Sequence, residues 1–394
     1  MHALLIGTGG AYGWPEDGCR CASCMSARQH GLHRRPGRVL VDGTLDFSPI
    51  QQVITGTGQP GRVDHHVTRI AGGFDITGPD GSRLLLASGP GEIPEPLAGS
   101  EPYDIALLDL LTSPAQLGRL RASGLVREHT AVVALYADHR VRSEQELNRR
   151  CALWQASPAQ DGQLITSPGP GVPAVIPAPG TLGTRPHRTL IIGGCGSGRL
   201  AEAELRLAAE PQVTYLTASI RQARGGAPAT AVAAQPGQGI PPGARADWPD
   251  GEAGRQGAAR PDPGRTGERS LWRRTESVDL AGALARETSA LLIDGIDTWL
   301  AAVTAAAADR AASPGGAGDP AAIVAATIDE LIVAWRHTRA LVVGVTDQVE
   351  TGLTPSYQSD RVFRDQLGWL NQRLAAESEL NLLVIAGRVT TLPG

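Results

Sequence analysis

Short apolar runs alternate with amphipathic segments in the first part of the chain. Helical spacing of apolar residues predicts helices over Pro114–Ala122 and Ser143–Trp154, and Gly78-Pro79-Asp80-Gly81 predicts a hairpin turn. Residues 1–167 are therefore predicted to form a mixed α/β domain. The predicted strands are His2–Ile6, Val39–Val41, Arg83–Ala87, Ile105–Leu111 and Ala131–Tyr136.

A second series of apolar runs begins after residues 168–187, which are rich in Pro and Gly and predict a semi-rigid linker. Helical segments lie between the later runs, so residues 188–394 are expected to form a doubly wound, mostly parallel sheet. The whole chain is thus predicted to be two α/β domains. The strands predicted in the second are Thr189–Ile192, Val213–Thr217, Ala290–Ile293, Ala340–Val345 and Leu382–Ala386.

One long segment of the second domain has a composition that cannot bury a core. Ala223–Gly267 is rich in Gly, Ala, Pro and Arg, and Ala311–Pro320 is a shorter segment of the same kind. Such segments lack the apolar side chains that offset the entropy of ordering a chain. We therefore expect residues 223–267 to be a disordered insert.

Composition excludes several classes of function. The chain has 394 residues and a net charge of -4, and no run of basic residues provides a surface for nucleic acid. No apolar run approaches the roughly 20 residues that a membrane helix requires. The first residues do not resemble a secretion signal either, so a cytoplasmic location is expected. All 36 basic residues are arginine, which rules out chemistry that needs a lysine amine.

A glycine-rich loop connects the predicted strand Thr189–Ile192 to a helical segment. Glycines allow backbone N–H groups to surround phosphate oxygens, and the start of a helix adds a favourable dipole. The order of strand, glycine loop and helix therefore predicts phosphate binding, with a plain glycine turn as the alternative. The predicted nucleotide-binding residues of the loop are Gly193, Gly194, Cys195, Gly196, Ser197, Gly198 and Arg199.

An acidic residue, Asp294, follows the apolar run Ala290–Ile293. In phosphate-loop enzymes a carboxylate at the end of such a strand organises Mg²⁺. Asp294 is accordingly predicted to be a catalytic residue that organises Mg²⁺. Arg199 in the loop is the second predicted catalytic residue.

Further motifs follow in a specific order: Trp272, Glu276 and Asp279, and then Arg361–Gln372, which reads R-x-F-R-D-x-L-G-x-L-N-Q. With the loop, they resemble the bifunctional adenosylcobinamide kinase/adenosylcobinamide-phosphate guanylyltransferase family over residues 188–394. The resemblance implies a homotrimeric phosphate-loop protein that phosphorylates adenosylcobinamide with ATP or GTP and Mg²⁺. It also implies GMP transfer from GTP through a histidine, and a nucleotide-binding role for Glu276.

Two positions of the loop depart from this family. The family's loop ends Gly-Lys-Ser, whereas here Gly198 is followed by Arg199 and Leu200. Arginine is a planar fork rather than a compact charge, and leucine lacks the hydroxyl that binds Mg²⁺. The family's Asn-Glu-Val-Gly corresponds to Asp347-Gln348-Val349-Glu350, which introduces a carboxylate at a neutral position. These changes weaken the expectation of kinase activity.

The histidine that accepts GMP in the family is also absent. Its position corresponds to Gly264, and no histidine occurs between His187 and His337. Guanylyl transfer is therefore predicted to be lost. Two functions follow from the sequence: a kinase-like protein of cobalamin (vitamin B12) nucleotide-loop assembly, or a catalytically inactive paralogue that binds nucleotide or corrinoid in a regulatory or scaffolding role.

Three cysteines crowd into one loop near the start of the chain, in the sequence Cys19-Arg-Cys21-Ala-Ser-Cys24. C-x-C-x₂-C supplies three thiolates, and a tetrahedral structural zinc site requires one further ligand. His30 and His33 are candidates for it. The alternative is that the three cysteines are simply reduced thiols.

The same region resembles the metallo-β-lactamase-like phosphodiesterases of phosphonate metabolism. The shared motifs are L-x-G-T-G, G-C-x-C-x-x-C and Leu40-Val41-Asp42-Gly43. The resemblance implies an αβ/βα fold in which His139 completes a structural zinc site. The family's H-x-H-x-D-H cluster has no counterpart, and Asp109 alone matches a catalytic metal ligand. This domain is therefore predicted to be a degenerate, non-catalytic structural or assembly module.

Overall fold

The structure is a computed structural model, and seven segments of the chain are described. They are residues 1–48, 65–87, 101–176, 185–218, 272–313, 319–348 and 358–393, with the side chains of residues 358 and 359 left out. The predicted disordered insert, 223–267, lies outside them.

Residues 1–176 contain strands from two sheets, together with three helices in the described segments. The elements are β1 (His2–Gly7), α1 (Ala22–Gln29), β2 (Arg38–Val41), β3 (Leu45–Phe47), β4 (His66–Ile70), β5 (Gly73–Thr77), β6 (Arg83–Ala87), β7 (Ile105–Leu108), α2 (Ala115–Ala122), β8 (Ala131–Ala134), α3 (Glu144–Leu153), β9 (Ser157–Pro158) and β10 (Gln163–Thr166).

The six-stranded sheet of this half, in the order β4-β5-β6-β7-β8-β9, is buried on both faces at its centre. In β6, Leu84 and Leu86 pack in one apolar cluster with residues of the antiparallel four-stranded sheet β10-β1-β2-β3. Leu85 and Ala87 pack in another cluster with residues of α2 and α3. Successive strand residues point to opposite faces of a sheet. The six-stranded sheet therefore lies between the four-stranded sheet on one side and helices α2 and α3 on the other.

Several predicted elements of this half are confirmed, with adjusted ends. β6 begins and ends as predicted, and Ser143 caps α3 by accepting a hydrogen bond from the Glu146 N–H at 3.2 Å. β7 ends three residues earlier than predicted, because the Asp109 carboxylate accepts a hydrogen bond from the Thr112 N–H at 3.1 Å and starts a turn.

Residues 185–393 form one seven-stranded sheet within the described segments. The elements are β11 (Arg188–Ile192), α4 (Arg199–Leu207), β12 (Val213–Thr217), β13 (Trp272–Glu276), α5 (Leu280–Arg286), β14 (Ala290–Asp294), α6 (Ile296–Ala312), α7 (Pro320–His337), β15 (Val342–Thr346), α8 (Gln358–Ala376), β16 (Leu380–Ile385) and β17 (Arg388–Leu392).

The strand order of this sheet is β13-β12-β14-β15-β11-β16-β17, and every neighbouring pair is parallel except β16 and β17. Neighbouring residues of β11 point to opposite faces: Leu190 packs with α5 to α8, and Ile191 packs with α4. The predicted mostly parallel α/β sheet is therefore confirmed for the described residues.

The two halves of the chain meet at α4, the helix that follows the glycine loop. Arg149 of α3 pairs with Glu202 at 2.7 Å, and the Trp154 indole N–H donates to the Leu205 carbonyl at 2.9 Å. Arg121 donates to the Ala209 carbonyl at 2.9 Å. These contacts place the N-terminal half directly beside the glycine loop. Among the described residues, no helix has the length and hydrophobicity to cross a membrane.

Candidate functional site

The glycine loop connects the end of β11 to the start of α4. Gly196 and Gly198 have φ angles of 70° and 95°, in the left-handed region that side chains disfavour. Gly198 is the residue immediately before α4, so the backbone turns sharply into the helix. The N–H groups of the first helical turn lack partners within the helix and can donate hydrogen bonds to an anion there.

Close packing against β16 explains why the first residue of the loop is a glycine. A Cβ atom at Gly193 would lie 2.6 Å from the Ser197 Oγ and 2.7 Å from the Val384 carbonyl oxygen. At Gly194 a Cβ atom would meet nothing within 4 Å. Gly193 is thus required by the space available, whereas Gly194 is not.

This difference predicts the outcome of a pair of substitutions. Gly193→Ala is expected to lower the free energy of unfolding by about 1–3 kcal/mol, because the new methyl group overlaps backbone. Gly194→Ala, the matched control, is expected to change it by no more than about 0.5 kcal/mol. Urea denaturation of both variants measures the effect, and equal stabilities would contradict the packing described at Gly193.

Arg199, in place of the family's loop lysine, folds back over the loop. Its guanidinium donates to the Gly193 carbonyl and pairs with the Asp347 carboxylate, which follows β15. The two side chains are only 19% and 28% exposed. The cation of the loop is therefore already partnered by a carboxylate of the same chain.

Asp347 is held in place by the segment R-x-F-R-D-x-L-G-x-L-N-Q. Asn371 of that segment, on α8, donates through its side-chain amide to the Asp347 carbonyl at 3.1 Å. The Thr346 hydroxyl donates to the Asn371 side-chain oxygen at 2.9 Å, and both side chains are buried. The specific motif thus fixes the end of β15 beside the loop.

Asp294 and Asp297 lie at the same edge of the sheet. Asp294 ends β14, two strands from β11, and accepts a hydrogen bond from the Tyr215 hydroxyl at 2.6 Å. Asp297, in the first turn of α6, has an Oδ1 atom that is shielded from solvent and lacks a partner among the described residues. Burial, followed by the charge of Asp347, raises the pKa of Asp297.

Asp297 is a candidate that sequence reasoning missed. The available signal was an acidic residue three positions after Asp294, at the start of a helix that follows a strand. The aspartates do not form a ready metal site. Among the described residues, the only group of three or more metal-ligating side chains with ligand atoms within 4.8 Å of one another lies near the start of the chain.

Glu276, the predicted nucleotide ligand outside the loop, is exposed at the end of the edge strand β13. It is four strands from β11, roughly 19 Å across the sheet. This distance is too large for contact with a phosphate in the loop. Any contact with a nucleotide would involve a different part of the ligand.

The second candidate site is a cluster of Cys19, Cys21, Cys24 and His139, whose ligand atoms all lie within 4.8 Å of one another. The His139 Nδ1 atom is 3.8 Å from the Cys19 Sγ and 3.9 Å from the Cys24 Sγ. Ligand atoms around a tetrahedral zinc are about 3.5–3.8 Å apart. The donor set and its spacing therefore fit zinc, and His30 and His33 are not in the cluster.

The pKa values of two thiols in the cluster shift in opposite directions. The Cys24 N–H donates to the Cys21 Sγ at 3.4 Å, and this hydrogen bond is the main cause that lowers the pKa of Cys21. Burial raises the pKa of Cys24 to about 11. A bound cation would reverse this second effect, because metal ligation requires the thiolate.

Asp109, which matches a catalytic metal ligand in the sequence, is paired with an arginine. The Arg140 guanidinium lies 3.3 Å from the Asp109 carboxylate and 2.8 Å from that of Asp138. Burial raises the pKa of Asp109, an effect that the charge of Arg140 opposes. The guanidinium thus supplies the positive charge beside this carboxylate.

Comparison with known proteins concerns the C-terminal half. The family profile "Cobinamide kinase / cobinamide phosphate guanyltransferase" matches residues 264–392. The bifunctional adenosylcobalamin biosynthesis protein CobU of Salmonella typhimurium (strain LT2) is 31% identical over 206 residues, which span 50% of this chain and 95% of the Salmonella protein.

Among solved structures, the P4 protein from bacteriophage phi6 in complex with ADP is 14% identical. The match covers 53% of this chain and 54% of that one, about half of each, and its TM-score of 0.22 is too low to support any inference. The Salmonella relative, by contrast, is covered almost completely. The chain belongs to the cobinamide kinase/cobinamide phosphate guanyltransferase family.

Proposed function

We propose that this protein acts in cobalamin biosynthesis as a nucleotide-binding family member that does not transfer guanylyl groups. The observation that carries the proposal is the pairing of Arg199 with Asp347 inside the glycine loop. The loop keeps the glycines and the helix start that bind phosphate, but its cation is already neutralised. Nucleotide and corrinoid are the expected partners.

The ion pair argues more strongly against turnover than against binding. A nucleotide phosphate must separate Arg199 from Asp347, or bind with the carboxylate still close by, and either event weakens stabilisation of a transferring phosphate. Leu200 offers no oxygen to Mg²⁺, and its side chain packs against the apolar cluster on the α4 face of the sheet. The positions that serve catalysis in the family thus serve packing and internal pairing here.

The absence of a suitable histidine argues against guanylyl transfer by the route that the family uses. That route needs a histidine near Gly264, and the sequence has none between His187 and His337. The absence of histidine also holds for residues 223–267, because it is read directly from the sequence. No step through a histidine-bound GMP can occur in this part of the chain.

Phosphorylation of adenosylcobinamide is the second candidate function. It is favoured by Asp297, whose shielded Oδ1 atom lacks a hydrogen-bond partner among the described residues. With its raised pKa, this carboxyl group is suited to accept a proton from an attacking hydroxyl. Asp294 would organise Mg²⁺, and Arg199 would contact the transferred phosphate after release from Asp347.

For the N-terminal half we propose a structural zinc at Cys19, Cys21, Cys24 and His139, in a non-catalytic module. Three thiols and one imidazole fill a tetrahedral zinc completely, which is typical of structural rather than catalytic sites. The metal would join the loop before α1 and the first turn of α1 to the segment after β8.

Turnover with a repaired loop separates the two functions. We expect the wild-type protein with Mg²⁺, adenosylcobinamide and ATP or GTP to give no phosphorylated corrinoid by mass spectrometry. Arg199→Lys/Leu200→Ser is expected to raise any product rate at least ~100-fold, because it restores the compact lysine ammonium and the hydroxyl of the family's loop.

Equilibrium dialysis with labelled ATP and GTP accompanies the assay. Nucleotide binding without product supports the proposed function, whereas product from the wild-type protein establishes the kinase. A folded protein that neither binds nucleotide nor forms product would refute both.

A further inference from the structure

A cleft of about 610 Å³ lies between the two halves of the chain, next to the glycine loop. α3 and the residues before it form one wall, and α4 with the turn between β16 and β17 forms the other. A volume of this size is within the range of small-molecule sites, about 300–1,000 Å³. The cleft exists only because the N-terminal half packs against α4.

The walls of this cleft are rich in arginine. Five arginines and two glutamates line it, so the walls carry net positive charge although the whole chain carries -4. The five are Arg140, Arg142, Arg149, Arg150 and Arg388.

Three of these arginines are already neutralised. Arg149 pairs with Glu146 and Glu202, each at 2.7 Å, and Arg150 pairs with Glu146 at 2.8 Å. Arg140 pairs with aspartates outside the cleft. Both glutamates of the cleft are therefore occupied, and their charges are matched by arginines that lie beside them.

Arg142 and Arg388 are different. Both are exposed, and neither has a carboxylate within ion-pair distance among the described residues. Arg142 comes from the N-terminal half and Arg388 from the start of β17, so each half contributes one unneutralised guanidinium. An arginine fork binds carboxylate or phosphate oxygens in pairs. Two unneutralised guanidinium groups in one cleft favour the anion of higher charge, which is phosphate.

The backbone of the glycine loop reaches the same cleft. Gly198 lines it, and beside it the Gly387 N–H donates to the Ser197 carbonyl at 2.7 Å. The cleft is thus adjacent to the loop but lies on the outer side of α4, where Ala201 and Leu205 also face it. It is a separate cavity rather than an extension of the loop itself.

The geometry points to a second anion site in this cleft, which binds a phosphate-bearing small molecule between Arg142 and Arg388. Binding there would bridge the two halves of the chain directly beside the glycine loop. This site requires only the N-terminal half and the β16–β17 turn. It does not depend on whether the loop binds nucleotide.

Inorganic pyrophosphate is the probe that tests the site, with the full-length protein in isothermal titration calorimetry at low salt. Arg142→Gln/Arg388→Gln is expected to weaken pyrophosphate binding at least ~10-fold, because two charge-assisted contacts are lost. The control Arg310→Gln/Arg339→Gln removes two exposed arginines away from the cleft and is expected to change the affinity less than ~2-fold.

Arg199→Gln distinguishes the cleft from the loop. Pyrophosphate binding that survives Arg199→Gln and is lost in Arg142→Gln/Arg388→Gln supports the cleft site. Binding that follows Arg199 alone, equal loss in the control, or no binding by the wild-type protein would each overturn it. Circular dichroism checks the fold of every variant, and the four arginines changed in the cleft and control variants are exposed.

Discussion

Replacing Asp347 by asparagine is expected to tighten nucleotide binding about tenfold or more. The carboxylate neutralises Arg199 and lies where it repels phosphate, so its removal frees the cation and abolishes the repulsion. Two unit charges about 4 Å apart interact by about 4 kcal/mol at an effective dielectric constant of 20. Partial exposure of both side chains reduces this, and about 1.4 kcal/mol suffices for a factor of ten.

Asparagine is the right replacement because it keeps the shape of the side chain and the backbone contact from Asn371. Calorimetric titration with ATP and GTP, each with Mg²⁺, measures the change. Asp329→Asn is the matched control, since it breaks an exposed pair with Arg373, on helices α7 and α8. Weaker binding by Asp347→Asn would mean that the carboxylate serves the ligand, for example through Mg²⁺, rather than competing with it.

Loss of one zinc ligand is expected to have the largest effect on stability. The protein should contain one zinc per chain, and His139→Ala or Cys24→Ser should reduce this to a small fraction. The free energy of binding structural zinc is also folding free energy, so removal of the metal destabilises the half that it fastens. A loss of about 3 kcal/mol corresponds to a fall in Tm of roughly 6–12 °C in a domain of this size.

Elemental analysis and thermal unfolding with and without a chelator measure the two effects. His30→Ala is the matched control, because His30 lies near the cysteines in sequence and its ring instead contacts the Ser26 carbonyl at 2.8 Å. It should retain both metal and Tm. Equal metal content in His139→Ala and wild type would remove His139 from the ligand set.

Strands were predicted most accurately where a run of apolar residues is bounded by turn residues on both sides. β12 has the predicted bounds because Val213–Thr217 is buried on both faces. β4 and β5 were missed because their residues are mostly half-buried or exposed, which leaves no strong alternation to detect. The strand order of the sheets also lay beyond local pattern, since it depends on which strands pair across long loops.

The residues of the candidate site also differ in how far local sequence could predict them. The glycine loop could be predicted because its function depends on neighbouring residues in one segment. The partner of Arg199 could not, since Asp347 is 148 residues away and only the fold brings the two together. The loss of solvent around Asp297 is likewise a property of the packed α6 and not of its sequence.

The contact between α3 and α4 joins the helix after the glycine loop to the N-terminal half. The Salmonella relative consists almost wholly of the matched half, whereas here Glu202 on α4 is buried and its charge is met by Arg149 from the other half. Removing the N-terminal half would uncover Glu202 and take away Arg149, which leaves Arg206 as the ion-pair partner of this carboxylate. The helix beside the glycine loop therefore takes one of its charge partners from the N-terminal half.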